Sequence, residues 1–325
     1  MPRDRERSIG RIRSFLERAG FYVADTHGIR PSSFDLAARR DATLLLVKVL
    51  KNIDALDAGE AGRLRELGRL FPAIVLVIGQ TSGASDLDPG VVYTRYDVPI
   101  INEETLAGFL EKAALPFLYA SPGGIFARID GERLHDLRVR RGLSLGTLAS
   151  IAGVSRRAIQ LYEDGAGAEV TVIDRIEAYL GVPVIEPIDL FEATRTGSQR
   201  PAADEVDRGP ERAIPRSGDP WRDGVLQQLD GIGLEMTLTA RAPFDALART
   251  PDILLAAIGS LRTALHRAEL LHGLARVAEG HAMFVVRENV HRASIDGLPI
   301  LTIGELRRHR DADDLIDAIS EREGA

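Results

Sequence analysis

Arginine is concentrated between Arg138 and Arg157, where Arg138, Arg140, Arg141, Arg156 and Arg157 occur with no acidic residue among them. On an acidic chain this makes a local positive face, as phosphate binding requires. Paired guanidinium donors also suit the O6 and N7 acceptors of guanine in a major groove. Other reactive sets are weak. There is no cysteine, which excludes disulfides, thiolate zinc sites and cysteine nucleophiles. The seven histidines are scattered, and His266 and His272 are not spaced to share one helical face, so no metal is expected. Pro122-Gly123-Gly124 and Gly79-Gln80-Thr81-Ser82-Gly83 lack the lysine of a phosphate loop and read as turns.

The elements that must carry the arginines follow from residue size and spacing. Ala149 is small where two helices cross, and Gly153 stands where a left-handed backbone is needed. Leu148, Val154, Ile159 and Tyr162 are spaced to pack between the helices. Ser155 is an N-cap for the second helix, which leaves Arg156, Arg157 and Gln160 on its outward first turns. Over Gly131 to about Phe191 the chain resembles the Cro and phage-repressor type of helix-turn-helix, the XRE family. That resemblance implies base-edge contact by Arg156 and Arg157 and a place at the DNA backbone or groove edge for Ser155. Gln160 flanks them, and Arg140 and Arg141 add positive charge. It also implies a salt bridge between Arg138 and Glu163. The family's glutamine at the start of the first motif helix is Leu145 here, so a phosphate contact is expected to be missing or moved to Thr147 or Ser144. Val170–Leu180 and Ile188–Phe191 complete the expected five-helix bundle.

The chain has 325 residues, 45% hydrophobic and 27% charged, with a formal charge of −7. This suits two or three soluble domains and excludes a fibrous or wholly disordered chain. No run approaches the roughly 18 apolar residues of a membrane span, and the N-terminus lacks a signal-peptide core, so no membrane and a cytoplasmic location are expected.

On either side of the helical block the pattern is α/β. Residues 1–120 hold apolar strands such as Ala42–Leu50 and Ala73–Ile78 separated by a polar helix, and residues 221–325 repeat the scheme. Phe34-Asp35-Leu36-Ala37-Ala38-Arg39 returns as Phe244-Asp245-Ala246-Leu247-Ala248-Arg249, and Val98-Pro99-Ile100-Ile101 as Leu298-Pro299-Ile300-Leu301, which points to a duplicated domain. Residues 121–193 then form the DNA-binding domain. Residues 194–220, without periodicity and rich in Pro, Gly, Ser and charge, read as a flexible linker.

An aspartate on one strand and a lysine on the next, buried one resembles the PD-(D/E)XK restriction-endonuclease-like core. In an active member the aspartate and the acid two residues before the lysine bind Mg²⁺. Asp35 and Lys48 fit, with Glu17 as a further candidate, but the acid position is Leu46. In the second copy Asp245 remains, with Ala256 read at the acid position and Ile258 at the lysine position. Both domains are therefore expected to be degenerate, non-catalytic folds used for dimerisation, DNA-backbone contact or effector sensing.

The order of blocks, with Val47-Lys48-Val49-Leu50-Lys51-Asn52-Ile53-Asp54, is similar to a family of archaeal transcriptional regulators. The resulting expectation is two α/β domains flanking an all-α helix-turn-helix bundle. It is a cofactor-free regulator that binds double-stranded DNA as a homodimer on a palindromic operator, with an effector of unknown identity. The alternatives are an Mg²⁺-dependent nuclease steered by the same motif and an antitoxin-like protein that binds DNA only within a complex.

Overall fold

The computed structural model describes residues 2–26, 32–191, 217–249, 252–290 and 292–323. Most of the expected linker lies outside them. In chain order the elements are α1 (Pro2–Arg18), β1 (Tyr22–Asp25), β2 (Leu36–Arg40), β3 (Thr43–Asn52), a short 3₁₀ turn (Ile53–Ala55), α2 (Ala58–Leu70), β4 (Ile74–Ser82), β5 (Ser85–Asp86), β6 (Val91–Arg95), β7 (Val98–Ile101) and α3 (Glu103–Lys112). There follow β8 (Leu118–Ser121), β9 (Gly124–Ile129), α4 (Gly131–Arg140), α5 (Leu145–Ala152), α6 (Arg156–Glu163), β10 (Ala168–Glu169), α7 (Val170–Leu180) and β11 (Ile185–Glu186). The last block holds α8 (Pro220–Gly231), β12 (Met236–Leu238), β13 (Ala246–Arg249), β14 (Ile253–Gly259), α9 (Leu261–Ala278), β15 (His281–Val286), β16 (Ser294–Ile295), β17 (Leu298–Thr302), α10 (Ile303–Leu306) and α11 (Ala312–Glu323).

The chain divides into two compact units, one of Met1–Val49, Asp57–Leu76 and Ser198–Ala325, the other of Leu50–Leu56 and Val77–Gly197. The first unit contains the second α/β copy entire. Its strands run in the order β12-β13-β14-β15-β17-β16, the same pattern as β1-β2-β3-β4-β7-β6 of the first copy. β14 and β15 are parallel and so need a crossover, which α9 supplies. Strands buried on both faces must be continuously apolar, as Ala282 to Val286 are. Val225, Leu229, Leu254, Met283, Val285 and Ile319 form part of its core.

Within the same unit, α9 also packs on β1 and β2 of the first copy. The Arg276 guanidinium stacks 4.7 Å above the Tyr22 ring, Phe71 meets Phe244 edge to face at 5.7 Å, and Ser33 N–H donates to the Arg241 carbonyl at 2.7 Å. The two copies thus bury surface against each other inside one chain.

In the second unit β7 joins β4 in parallel, β6 joins β7 antiparallel and β8 extends the sheet from β6. The helical block is a four-helix cluster, α4 to α7, around Leu134, Leu148, Ala152, Ile159, Ile173, Ile176 and Leu180. Of the expected fifth helix, Ile188–Phe191, only Leu190 and Phe191 are helical; the residues that follow lie outside those described. Beyond the helical pattern, β9 pairs with β8, β10 and β11, so Ala127, Ile129 and Ala168 close the same core.

Candidate nucleic-acid interface

The geometry of α5 and α6 begins with their caps. Ser144 Oγ accepts from Thr147 N–H at 3.0 Å and Ser155 Oγ accepts from Ala158 N–H at 3.1 Å, satisfying donors that a helix start would otherwise leave bare. Between them Gly153 ends α5 at φ 70°, where a side chain would be strained. Ile159 is fully buried, so α6 can present only one face outward: Arg156, Arg157, Gln160 and Leu161, all exposed.

Two contacts fix how α6 is held. Glu163 closes it with a carboxylate only 9% exposed; Arg138 of α4 donates to it from Nε and from Nη2, the latter at 2.8 Å, and His135 Nδ1 lies 2.9 Å away. The Arg138 Nη1 group also donates to the Leu143 carbonyl at 3.1 Å, tying the α4–α5 turn into the same network. Gly131 lets α4 begin directly against the end of α6: a Cβ there would lie 2.3 Å from the Glu163 carbonyl oxygen. Gly131→Ala is therefore expected to cost about 1–3 kcal/mol by forcing backbone apart, read as a lower melting temperature of the full chain.

The remaining candidates divide. Thr147 is exposed at the start of α5, its hydroxyl 2.8 Å from Ser144 Oγ. Arg140 is largely in solvent with a loose ion pair to Asp136 at 3.4 Å. The Arg141 guanidinium, on an exposed residue, donates to the carbonyls of Tyr179 (3.1 Å) and Leu180, capping the end of α7. Arg156 folds back over α5, since a Cβ on Gly146 would come within 2.8 Å of its Nε. Leu145 packs against the bundle core, which is where the apolar replacement at that position goes.

Of the nuclease-like residues, Asp35 and Lys48 stand at the same end of the β2–β3 pair, each bonded to other groups, and Glu17 pairs elsewhere. Asp35 is buried, with one oxygen accepting from Arg5 Nη2 at 2.6 Å and the other from Val49 N–H at 2.7 Å. Lys48 is buried too, donating to the Ser32 carbonyl at 2.7 Å and pairing with Glu60 at 2.8 Å. Glu17 pairs instead with Arg13 on its own helix at 2.8 Å. Leu46 is a core residue. With Leu46 at the acid position, an arginine on the aspartate and Glu60 taken up by the Lys48 ammonium, this set does not fit Mg²⁺.

The second copy repeats the arrangement: Asp245 pairs with Arg222 at 3.0 Å and accepts from Ile258 N–H at 2.8 Å. Thr26 and Thr239 match as well, each donating to the carbonyl of the phenylalanine before the aspartate, Phe34 or Phe244, at 2.9 Å. This corrects the sequence register by one residue. Asp35 N–H bonds the Val47 carbonyl and Asp245 N–H the Ala256 carbonyl, so Ala256 corresponds to Val47. The acid position is then Leu255 and the lysine position Ala257, where Ala256 and Ile258 were read.

Arg5, Glu60, Arg222 and His135 are the partners that sequence reasoning missed. Asp35→Ala leaves the Val49 N–H bare and Arg5 without its counter-charge, its Nε bond to the Val49 carbonyl remaining, and should cost about 2–4 kcal/mol in the first unit, measured by denaturant unfolding.

Residues 5–115 match the PD-(D/E)XK superfamily domain and residues 131–187 a helix-turn-helix domain. No solved structure matches the chain. The chain is 36% identical over 319 residues to a protein of Halorubrum lacusprofundi named "Putative HTH-type transcriptional regulatory protein", covering 97% of this chain and 96% of that one. A protein of the same description from Haloarcula marismortui is 36% identical over 316 residues, with 96% and 95% covered. One from Methanosarcina acetivorans is 33% identical over 325 residues, with 97% and 96% covered. With a degenerate nuclease-like domain ahead of a helix-turn-helix, and likeness to these proteins over nearly its whole length, the chain belongs to this archaeal family of HTH-type transcriptional regulatory proteins.

Proposed function

We propose that the chain regulates transcription by binding double-stranded DNA sequence-specifically, with α6 in the major groove. The observation that carries this reading is the outward face of α6, where arginines stand on a capped helix held by a buried ion pair. Arg156 and Arg157 are assigned to base edges, Ser155 and Thr147 to the backbone, Gln160 to the flank of the groove, and Arg140 and Arg141 to general attraction of phosphate. A single half-site offers few contacts, so the active species is a homodimer on a palindromic operator, its half-sites a helical turn apart. The working domains are residues 1–120, 121–193 and 221–325, joined by 194–220. The α/β copies serve dimerisation, backbone contact or sensing of an effector, without cofactor or catalysis, in the cytoplasm.

Titration of labelled duplex at several salt concentrations tests this. Affinity should fall steeply with salt, and two chains should load per operator. Salt-independent binding, or none, would refute it.

A further inference from the structure

Three of the four outward side chains of α6, namely Arg156, Arg157 and Gln160, are polar, and the fourth is Leu161, 49% exposed. An isolated half-exposed leucine on a protein surface needs no explanation. Leu161, however, is four residues from Arg157 and therefore lies on the same stripe of the helix. Among the described residues it stays half exposed, because the inward positions of α6 are filled by Ile159 and Tyr162. An apolar group beside a guanidinium, on a face built to enter the major groove, meets one apolar feature there, the C5-methyl of thymine.

We infer that Leu161 reads a thymine methyl, and so sets specificity next to the base held by Arg157. Four residues of helix span about 6 Å along the axis, so the thymine lies within about two base pairs of that base at 3.4 Å per step. This rests on the DNA-binding reading above and adds a base preference that neither the arginines nor Gln160 supply.

The test replaces each thymine of a selected duplex, one at a time, by deoxyuridine. This removes the methyl and leaves pairing and hydrogen-bonding edges unchanged. At one thymine per half-site the wild-type chain should bind about fourfold more weakly, the value of one buried carbon. Leu161→Ala should bind the thymine and uracil forms alike, and its melting temperature should match wild type because the side chain is half in solvent. Wild-type binding indifferent to uracil at every thymine, or full uracil sensitivity in Leu161→Ala, overturns the inference and leaves the regulator reading standing. Failure to enrich any duplex would remove that reading, and this inference with it.

Discussion

Replacing Glu163 by alanine should destabilise the helical region by about 2–3 kcal/mol while leaving the outward face of α6 unchanged. The carboxylate is only 9% exposed and the Arg138 guanidinium 12%, so removing one leaves the other short of partners where water reaches it poorly. His135 and the Leu143 carbonyl share that network, so the α4–α5 turn loosens with it. The same pair predicts a pH dependence. Burial pushes the Glu163 carboxyl up, but hydrogen bonds from Arg138 and His135, with their charge, outweigh it and hold it below the ordinary carboxylate range. A carboxyl lowered in the folded state contributes stability that is complete above its unfolded value, about 4.3, and is lost as pH falls through the lower folded value. Acid titration of stability should show a smaller loss in Glu163→Ala than in the wild type, since other lowered carboxyls such as Glu305 remain. A variant melting like wild type at neutral pH would mean that the pair does not hold α6 in place.

Arg157→Ala should cost about 1–3 kcal/mol of specific binding and relax base preference at one position of each half-site. Arg157 is exposed on the outward face of the helix, so its removal leaves the fold intact. Loss confined to affinity, with base preference unchanged, would make it a phosphate contact. Parallel binding measurements on a matched site and its single-base variants separate the two.

The helix-turn-helix was legible because its determinants are local. Gly153, Ser155 and Ala149 each act within a few residues of themselves, and Arg138 and Glu163 are joined by a motif with fixed spacing. Arg5 and Arg222 were not legible as partners of Asp35 and Asp245, since each reaches its aspartate from a helix distant in sequence. Nor was the one-residue register in β14. A strand buried on both faces has no polar alternation to mark which residue faces which way. β10 and β11, two residues each, carry too little pattern to be read, and the bonds from Arg141 to the carbonyls at the end of α7 join residues too far apart in sequence for a local pattern to mark.

The most direct measurement is selection of bound sequences from a random duplex pool at near-physiological salt, with Mg²⁺ present and DNA integrity followed throughout. An enriched palindrome recovered as intact DNA is the predicted result. Intact DNA without enrichment would contradict sequence-specific reading by α6, and cleaved DNA would contradict a non-catalytic role for the nuclease-like domains.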